Sequence, residues 1–361
     1  MLNIFKSITG ANSYLGVDIG TTSIKISEIS KGGESPEFKN YGIIESYGHL
    51  ERPNDAIQTS SLKIAEKNTA DLLKTLLDNG DFKTKDAIAS ISSFSAFTTL
   101  LEIPQMSNQD VSQALNIQIQ QYIPMPISEV AIDWIKVGER EDEKGIIKQQ
   151  IFLISIPNEQ IEKYKEIFRL AGLNLRALEV ESLSLVRAIM DVGDNEPTLI
   201  ADIGSRLTNV LVVDGGFLKY TLQTDFAGAS LTQAISRGLG INVKRAEELK
   251  KQRGVLNKGG EYELSTLTLP FLDAIINEVK RAKDNYEKNY GAKIEKVFLS
   301  GGGANTLGID KYFGEQMGLK ILLGNPFSRL NYPAELEPLI KELGFSLAVS
   351  IGLGIKEFIR T

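Results

Sequence analysis

The sequence predicts an α/β protein that contains two related halves, with a small α+β domain inserted into the first half. A strand–turn–strand motif at residues 15–26, LGVDIGTTSIKI, returns at residues 199–213 as LIADIGSRLTNVLVV. Between the two copies, residues 84–173 follow the order strand–strand–helix–strand–strand–helix. The repeat therefore predicts two copies of one β-rich half-domain, and the intervening segment predicts a compact unit of its own.

The composition excludes several classes of catalyst. The chain of 361 residues has a net charge of -6, no cysteine and a single histidine, His49. It therefore has no disulfides, thiolate metal sites or multi-histidine zinc sites, and no Cys–His catalysis. The acidic balance argues against broad nucleic-acid binding. Because no apolar run reaches the length of a membrane span, we expect a soluble, cytoplasmic protein.

The first copy of the motif carries residues suited to binding phosphate. Gly20 permits close approach of the backbone to a ligand. Hydroxyl and amide donors follow in the turn at Thr21, Thr22 and Ser23. Asp18 is suited to a hydrated Mg²⁺, and Lys25 to a point charge on a phosphate. Taken alone, the motif favours an ordinary hairpin with a solvated turn, because short motifs recur by chance.

The second copy reverses that preference. Its aspartate, glycine and hydroxyl residues are Asp202, Gly204, Ser205 and Thr208. Two facing hairpins of this kind can clamp a metal-bound polyphosphate from both sides. The repeated motif therefore predicts a phosphate site between the two halves.

Two further features lie in the second half. A strand in residues 297–309, VFLSGGGANTLGI, runs into the consecutive glycines Gly301, Gly302 and Gly303. Each glycine costs conformational entropy on folding, so three in a row favour contact with a ligand. Glu247 and Lys250 lie one turn apart on a predicted helix, where the sequence alone favours a solvated ion pair.

The remaining elements follow from apolar periodicity, turn residues and prolines. Strands are predicted near residues 41–47, 87–92, 96–103, 130–137, 150–156 and 175–180. Helices are predicted over residues 62–77, 107–122, 158–172, 182–190, 243–252, 272–289 and 345–359, and residues 226–240 are predicted to form a loop followed by a helix. Residues 193–197 are interpreted as a linker between the halves. Glu179 and Glu181 lie between the two motif copies, either as water-activating residues or as ordinary strand-end residues.

The three motifs, in this order, resemble the two phosphate loops and the adenosine loop of the actin, Hsp70 and sugar-kinase ATPase superfamily. The resemblance covers nearly the whole chain. It implies an actin-like (ribonuclease H-like) two-domain ATPase fold, with ATP and Mg²⁺ in the cleft between the domains. It implies phosphate binding by Gly20, Thr21, Thr22, Ser23, Lys25, Gly204, Ser205 and Thr208. It also implies that Asp18 and Asp202 lie near Mg²⁺, Gly301, Gly302 and Gly303 beside adenosine, and Glu247 and Lys250 at the ribose and base.

Finer features resemble the PilM family of type IV pilus assembly proteins, within an FtsA-like branch. They include QYIPMPISEVAIDW at residues 121–134, AGL at 171–173, EVES at 179–182 and INEVKR at 276–281. The resemblance implies a cytoplasmic scaffold that binds the N-terminal cytoplasmic tail of a PilN-like inner-membrane protein through the inserted domain. Such a scaffold is peripheral at the inner face of the cytoplasmic membrane, reaches the membrane only through its partner, and binds no nucleic acid.

The resemblance also divides the chain. The first half is expected at residues 1–83, 174–195 and 345–361, and the insert at residues 84–173. The second half is expected at residues 196–344, with a helical subdomain at 242–290.

Two alternatives remain open, a small-molecule (sugar-type) kinase and an FtsA-like membrane-associated filament protein. A kinase needs a general base beside the transferred phosphoryl group, and no independent Asp-centred motif matches that role. FtsA-like proteins usually end in a membrane-binding helix, for which the C-terminal residues give no convincing pattern. The sequence leaves open whether ATP is weakly hydrolysed or only bound.

Overall fold

The computed structural model of the protein describes residues 11–45, 66–141, 144–254 and 262–359. The strands are β1 (Ser13–Ile19), β2 (Ser23–Ser30), β3 (Glu37–Glu45), β4 (Asp86–Ile91), β5 (Phe97–Pro104), β6 (Val130–Glu141), β7 (Ile147–Pro157), β8 (Asn174–Val180), β9 (Thr198–Ile203), β10 (Thr208–Asp214), β11 (Phe217–Thr224), β12 (Lys296–Ser300) and β13 (Lys320–Leu323). The helices are α1 (Glu66–Asn79), α2 (Asn108–Gln118), α3 (Asn158–Ala171), α4 (Glu181–Ile189), α5 (Gly228–Leu239), α6 (Val243–Arg253), α7 (Tyr262–Tyr290), α8 (Ile309–Met317) and α9 (Ile340–Gly354). Within these ranges, no helix combines the length and the apolar character that crossing a membrane requires.

The first sheet has the strand order β3-β2-β1-β4-β8. β1, β2 and β3 form consecutive antiparallel pairs, whereas β4 and β8 continue the sheet from β1 in parallel. Helix α9 packs across β1 and β2. The approach is so close that a Cβ atom on Gly16 would lie 1.8 Å from the carbonyl oxygen of Ser350. This contact anchors the C-terminal helix on the first half of the molecule.

The second sheet repeats the same plan in the order β11-β10-β9-β12-β13. β9, β10 and β11 form consecutive antiparallel pairs, and β12 and β13 continue from β9 in parallel. Strand β9 is therefore the counterpart of β1, and β10 the counterpart of β2. The repeated plan confirms the prediction of two related halves, each of which begins with one copy of the motif.

A third, smaller sheet has the order β5-β7-β6. Alternate side chains of its central strand β7 point to opposite faces. Ile151 and Leu153 enter a local core with residues of α2. Phe152 and Ile154 join the large core that also includes residues of the first half. The small sheet is thus packed on both faces, with one face continuous with the body of the protein.

The pairing of strand β4 shows that the inserted domain begins only after this strand. The sequence places residues from 84 onward in the insert, but β4 pairs in parallel with both β1 and β8 and so lies inside the first sheet. Helix α3 likewise packs on α1 and β8. The small sheet and α2 occupy only the stretch between residues 92 and 157, which is narrower than the expected 84–173.

Candidate functional site

The two motif turns and the glycine turn line one cleft between the two large sheets. The cleft has a volume of about 850 Å³. It is lined by residues 20–23 after β1, residues 204–207 after β9 and residues 301–303 after β12. The turns after β1 and β9 follow equivalent strand ends in the two halves, and β12 lies beside β9 in the second sheet. This arrangement explains why segments nearly 300 residues apart in sequence meet at one place.

The turns of the two copies have the same backbone geometry. The amide of Gly20 donates to the carbonyl of Ser23 at 3.0 Å, and the amide of Gly204 donates to the carbonyl of Leu207 at 3.0 Å. The second turn is also held from behind, because the amide of Gly228 at the start of α5 donates to the carbonyl of Gly204 at 3.0 Å. Both turns are therefore fixed before any ligand binds.

This equivalence corrects one pairing made from the sequence. In the first hairpin Ile19 pairs with Ile24, and in the second Ile203 pairs with Thr208. Thr208 therefore matches a buried apolar position and not a turn hydroxyl. Its Oγ1 donates to the carbonyl of Phe226 at 2.7 Å. The structure brings Gly204 and Ser205 into the cleft wall, but it places Thr208 behind that wall.

The first aspartate is held by two donors. Lys25 Nζ lies 3.0 Å from Asp18 Oδ2, and Ser90 Oγ donates to Asp18 Oδ1 at 2.9 Å. Burial alone would lower the pKa of Lys25, but the Asp18 carboxylate outweighs it and the pKa is raised. The cleft therefore contains a fixed positive charge beside the first turn.

The second aspartate lies in an acidic environment. Burial and the nearby charge of Asp18 raise the pKa of Asp202 to about 6, although Lys25 opposes the shift. Two carboxylates that repel one another across a cleft suit a divalent cation. In the described part of the chain, no group of three His, Cys, Asp or Glu side chains could hold a metal ion by itself. A cation here would need phosphate or water oxygens as its other ligands.

Glu247 and Lys250 are not a solvated surface pair. Their charged atoms are 2.7 Å apart, and their side chains are only 23% and 10% exposed. Lys250 Nζ also donates to the carbonyl of Gly228 at 3.0 Å and to Thr232 Oγ1 at 2.9 Å. The pair thus lines the cleft and ties α6 to the start of α5, next to the second turn.

The three consecutive glycines have different roles. A Cβ atom on Gly301 would lie 2.7 Å from Asp202 Oδ1, and one on Gly303 would lie 2.3 Å from Ile203 Cγ2. These two glycines let the turn pack directly on the end of β9. Around the corresponding position on Gly302, no described atom lies within 4 Å. Packing thus explains two of the glycines, while Gly302 faces open space in the cleft.

Glu181 lies in the cleft wall, whereas Glu179 lies outside it. Glu181 Oε1 accepts from the Ser93 amide at 2.9 Å and from Asn209 Nδ2 at 3.2 Å. Burial, and then the charge of Asp18, raise the pKa of Glu181 to about 7.

Sequence reasoning missed Asn209. It pairs with Asp202 across the second hairpin as Lys25 pairs with Asp18 across the first. Comparing cross-strand partners, in place of residue types along the chain, would have found it.

A repeated β-sheet plan with hydroxyl-rich turns and paired aspartates in the central cleft defines the class of actin-like ATPase folds. Within that class, the family model described as "Type IV pilus assembly protein PilM" matches residues 16–358. The chain therefore belongs to the PilM family of type IV pilus assembly proteins.

The individual proteins and solved structures that match this chain do so at low sequence identity. The chain is 24% identical to the cell division protein FtsA of Enterococcus faecalis, over 69% of this chain and 58% of that protein. It thus spans less than two thirds of that relative. A solved PilM–PilN type IV pilus biogenesis complex matches with 20% identity and a TM-score of 0.80, over 96% of this chain and 99% of that chain. An MreB protein of Spiroplasma citri bound to AMPPNP matches with 14% identity and a TM-score of 0.54, over 95% of each chain.

Proposed function

We propose that the protein is an ATP-binding scaffold of type IV pilus assembly, which captures the cytoplasmic tail of a PilN-like inner-membrane protein. The observation that carries the proposal is the convergence of two equivalent turns and a glycine turn on one cleft. The scaffold would act in the cytoplasm, at the inner face of the cytoplasmic membrane, and reach the membrane through its partner. The fold it shares with an MreB protein bound to AMPPNP supports nucleotide binding.

The two turns would hold the phosphates from opposite sides. The donors are the amides and hydroxyls of Thr21, Thr22 and Ser23 on one side and those of Ser205 on the other, while Gly204 lets the backbone approach the phosphates closely. Lys25 would supply the positive charge that balances the polyphosphate. In this proposal Thr208 fixes the position of β10 through its bond to Phe226 and does not touch phosphate.

Asp18 and Asp202 suit a hydrated Mg²⁺. This ion keeps several waters and is usually held by one or two carboxylates together with substrate phosphates. The raised pKa of Asp202 supports the assignment, because a cation would relieve the repulsion from Asp18. When bound, the ion would neutralise charge on the phosphates. Gly302 would border the adenosine, with Glu247 and Lys250 toward the ribose and base.

Glu181 is the group that we assign to slow hydrolysis. A carboxylate with a pKa of about 7 is suited to accept a proton from water near neutral pH. Its hydrogen bonds from Ser93 and Asn209, with a longer one of 3.4 Å from Ser92 Oγ, fix its orientation in the cleft wall. Glu179 is held between cations elsewhere and is unsuited to this role.

The partner would bind at the insert. The similar fold of a PilM–PilN complex supports the binding of a PilN-like partner, and the position at the insert rests on the side chains described next. Phe97 and Trp134 lie on one face of the small sheet, opposite Ser155 and Leu153 of β7. Phe97 and the nearby loop residue Tyr122 are each exposed by more than a third of their surface, and Trp134 is half-buried. Such side chains can hold an extended apolar peptide. We therefore place the groove on the sheet β5-β7-β6, in the region between residues 92 and 157.

Two measurements test the proposal. Isothermal titration calorimetry should detect MgATP binding, and a pull-down should retain a peptide copying a PilN cytoplasmic tail, but not a scrambled peptide. No peptide retention with or without MgATP would refute the scaffold function. ATP turnover that rises sharply with one sugar would instead favour a kinase, and sedimentation as filaments on lipid vesicles would favour an FtsA-like protein.

A further inference from the structure

One face of β11 carries three polar side chains that point away from the core of its own half. They are Lys219, Thr221 and Gln223. Thr221 and Gln223 alternate with Tyr220 and Leu222, which pack on the core of the second half. The pairing of β10 with β11 shifts register between Val212 and Val213, where Lys219 is the extra residue on β11. Alternation along the strand puts Lys219 on the same face as the other two, and the bulge leaves it without a cross-strand partner on β10.

Two of these side chains bind the insert. Lys219 Nζ donates to the carbonyl of Val137 in β6 and, at 2.7 Å, to Gln150 Oε1 in β7. Thr221 Oγ1 shares a hydrogen bond of 3.0 Å with Thr98 Oγ1 in β5. Lys219 is only 7% exposed. All three strands of the small sheet are therefore tied to one strand of the second half.

The backbone of the insert makes room for the buried ammonium group. Gly138 has a φ of 153°, and a Cβ atom there would lie 2.6 Å from Lys219 Nζ. The pairing of β6 with β7 also shifts register beside this glycine, between Lys136 and Gly138. Strand β6 is thus shaped around the lysine of the second half, which indicates a specific contact and not incidental packing.

The third side chain leads back to the cleft. Gln223 Nε2 donates to Asn209 Oδ1 at 2.9 Å, and Asn209 Nδ2 donates to Glu181 Oε1 at 3.2 Å. The Ser93 amide donates to the same oxygen, and Ser93 belongs to the segment that leads from β4 into β5. Glu181 is therefore connected both to the entry of the insert and to the strand on which the insert rests.

We propose that the polar face of β11 couples the nucleotide cleft to the insert, so that occupancy of the cleft at Glu181 changes the position or mobility of the insert. Donors from both routes end on one carboxylate oxygen, so a ligand that turns this carboxylate alters both connections together. The ligand would therefore interact differently with the two arrangements of the insert, which any ligand-driven change requires. The inference rests on the proposed nucleotide binding and adds a route by which it reaches the partner groove.

The test uses variants that remove hydrogen bonds at similar volume. Gln223→Met breaks the route through Asn209, and Thr221→Val breaks the contact with Thr98. Tyr220→Phe is the matched control, because it removes a hydroxyl from the opposite face of the same strand. Thermal melts establish that each variant is folded, and calorimetry with Mg²⁺ and AMPPNP should give affinities within about twofold of the wild type.

Hydrogen exchange then reports on the insert without any partner. Mg²⁺ and AMPPNP should change the exchange of residues 92–104 and 130–141 in the wild type and in Tyr220→Phe. The change should be lost in Gln223→Met and reduced in Thr221→Val. In the peptide assay, AMPPNP should change the wild-type Kd by about fivefold or more, and by less than about twofold in Gln223→Met.

The outcomes separate this inference from the proposed function. If AMPPNP binds but the exchange of the wild-type insert is unchanged, the coupling is refuted and nucleotide binding stands. An unchanged response in Gln223→Met refutes the route through β11. If AMPPNP does not bind the wild type at all, both the proposed function and the coupling are refuted.

Discussion

Removing the charge of Glu181 should stabilise the nucleotide-free protein at pH 8, whereas removing the charge of Glu179, two residues earlier, should destabilise it. Glutamine has nearly the same volume as glutamate and keeps an oxygen that can accept the hydrogen bonds from Ser93 and Asn209. The variants Glu181→Gln and Glu179→Gln therefore form a matched pair that differs mainly in the environment of the lost charge.

The magnitude for Glu181 follows from its pKa. Burial, and then Asp18, raise it from 4.5 to about 7, with Asp202 adding to the shift. At about 1.4 kcal/mol per pH unit, the ionised form costs up to about 3 kcal/mol, less what cleft water screens. Between pH 4.5 and 7 the folded state binds more protons than the unfolded state. The contribution of Glu181 to stability therefore falls as pH rises through this window.

The pKa shift of Glu179 has the opposite sign. Burial opposes its ionisation, but Arg187 and Lys356 outweigh burial and lower its pKa to about 2. Arg187 makes two bonds to the carboxylate, at 2.7 and 2.9 Å, and Lys356 Nζ lies at 2.8 Å. Its contribution is present above about pH 4.5 and is lost as pH falls toward 2. Glu179→Gln leaves two mostly buried cations without a counter-charge, which costs about 3–5 kcal/mol.

Thermal unfolding without nucleotide at pH 5.5 and pH 8 checks both expectations. Glu181→Gln should melt several degrees above the wild type at pH 8, at about 2–4 °C per kcal/mol, and the gap should shrink by about half or more at pH 5.5. Glu179→Gln should melt below the wild type at both values. A Glu181→Gln variant that melts at or below the wild type at pH 8 would refute the assignment of a strained carboxylate to the cleft.

Three further changes test the site. Asp202→Asn should weaken MgATP binding by about tenfold, or about 1.4 kcal/mol, because one metal contact is lost. In calorimetry, ADP binding without Mg²⁺ should stay nearly unchanged. Equal losses for the two ligands would contradict the metal role. Gly303→Ala should lower the melting temperature, because its Cβ would lie 2.3 Å from Ile203 Cγ2, whereas Gly302→Ala should melt like the wild type. Lys250→Ala should weaken binding of a fluorescent ATP analogue, and an unchanged affinity would remove Lys250 from the site.

The fold was predictable because its strongest signal is local and appears twice. Each motif copy contains an apolar strand, a glycine turn and a second strand, and the structure gives both copies the same pairing and the same amide contact after the glycine. Strands β11 and β13 were missed for different reasons. β13 has four residues, too few to show a period. In β11 the alternating polar residues face the insert, which lies more than 60 residues away in sequence. The sequence pattern alone does not identify the insert as their contact surface.

The two glutamates show most clearly what the sequence could not decide. In a continuous strand, residues 179 and 181 would point to the same face, because side chains alternate with a period of two. Strand β8 ends at Val180 and α4 begins at Glu181. The change of element between them sends Glu179 toward Arg187 and Lys356, and Glu181 into the cleft. Element boundaries are the least certain feature of a sequence prediction, and a shift of one residue here would exchange a structural ion pair for the carboxylate that lines the cleft. The choice between the two roles therefore required the three-dimensional structure.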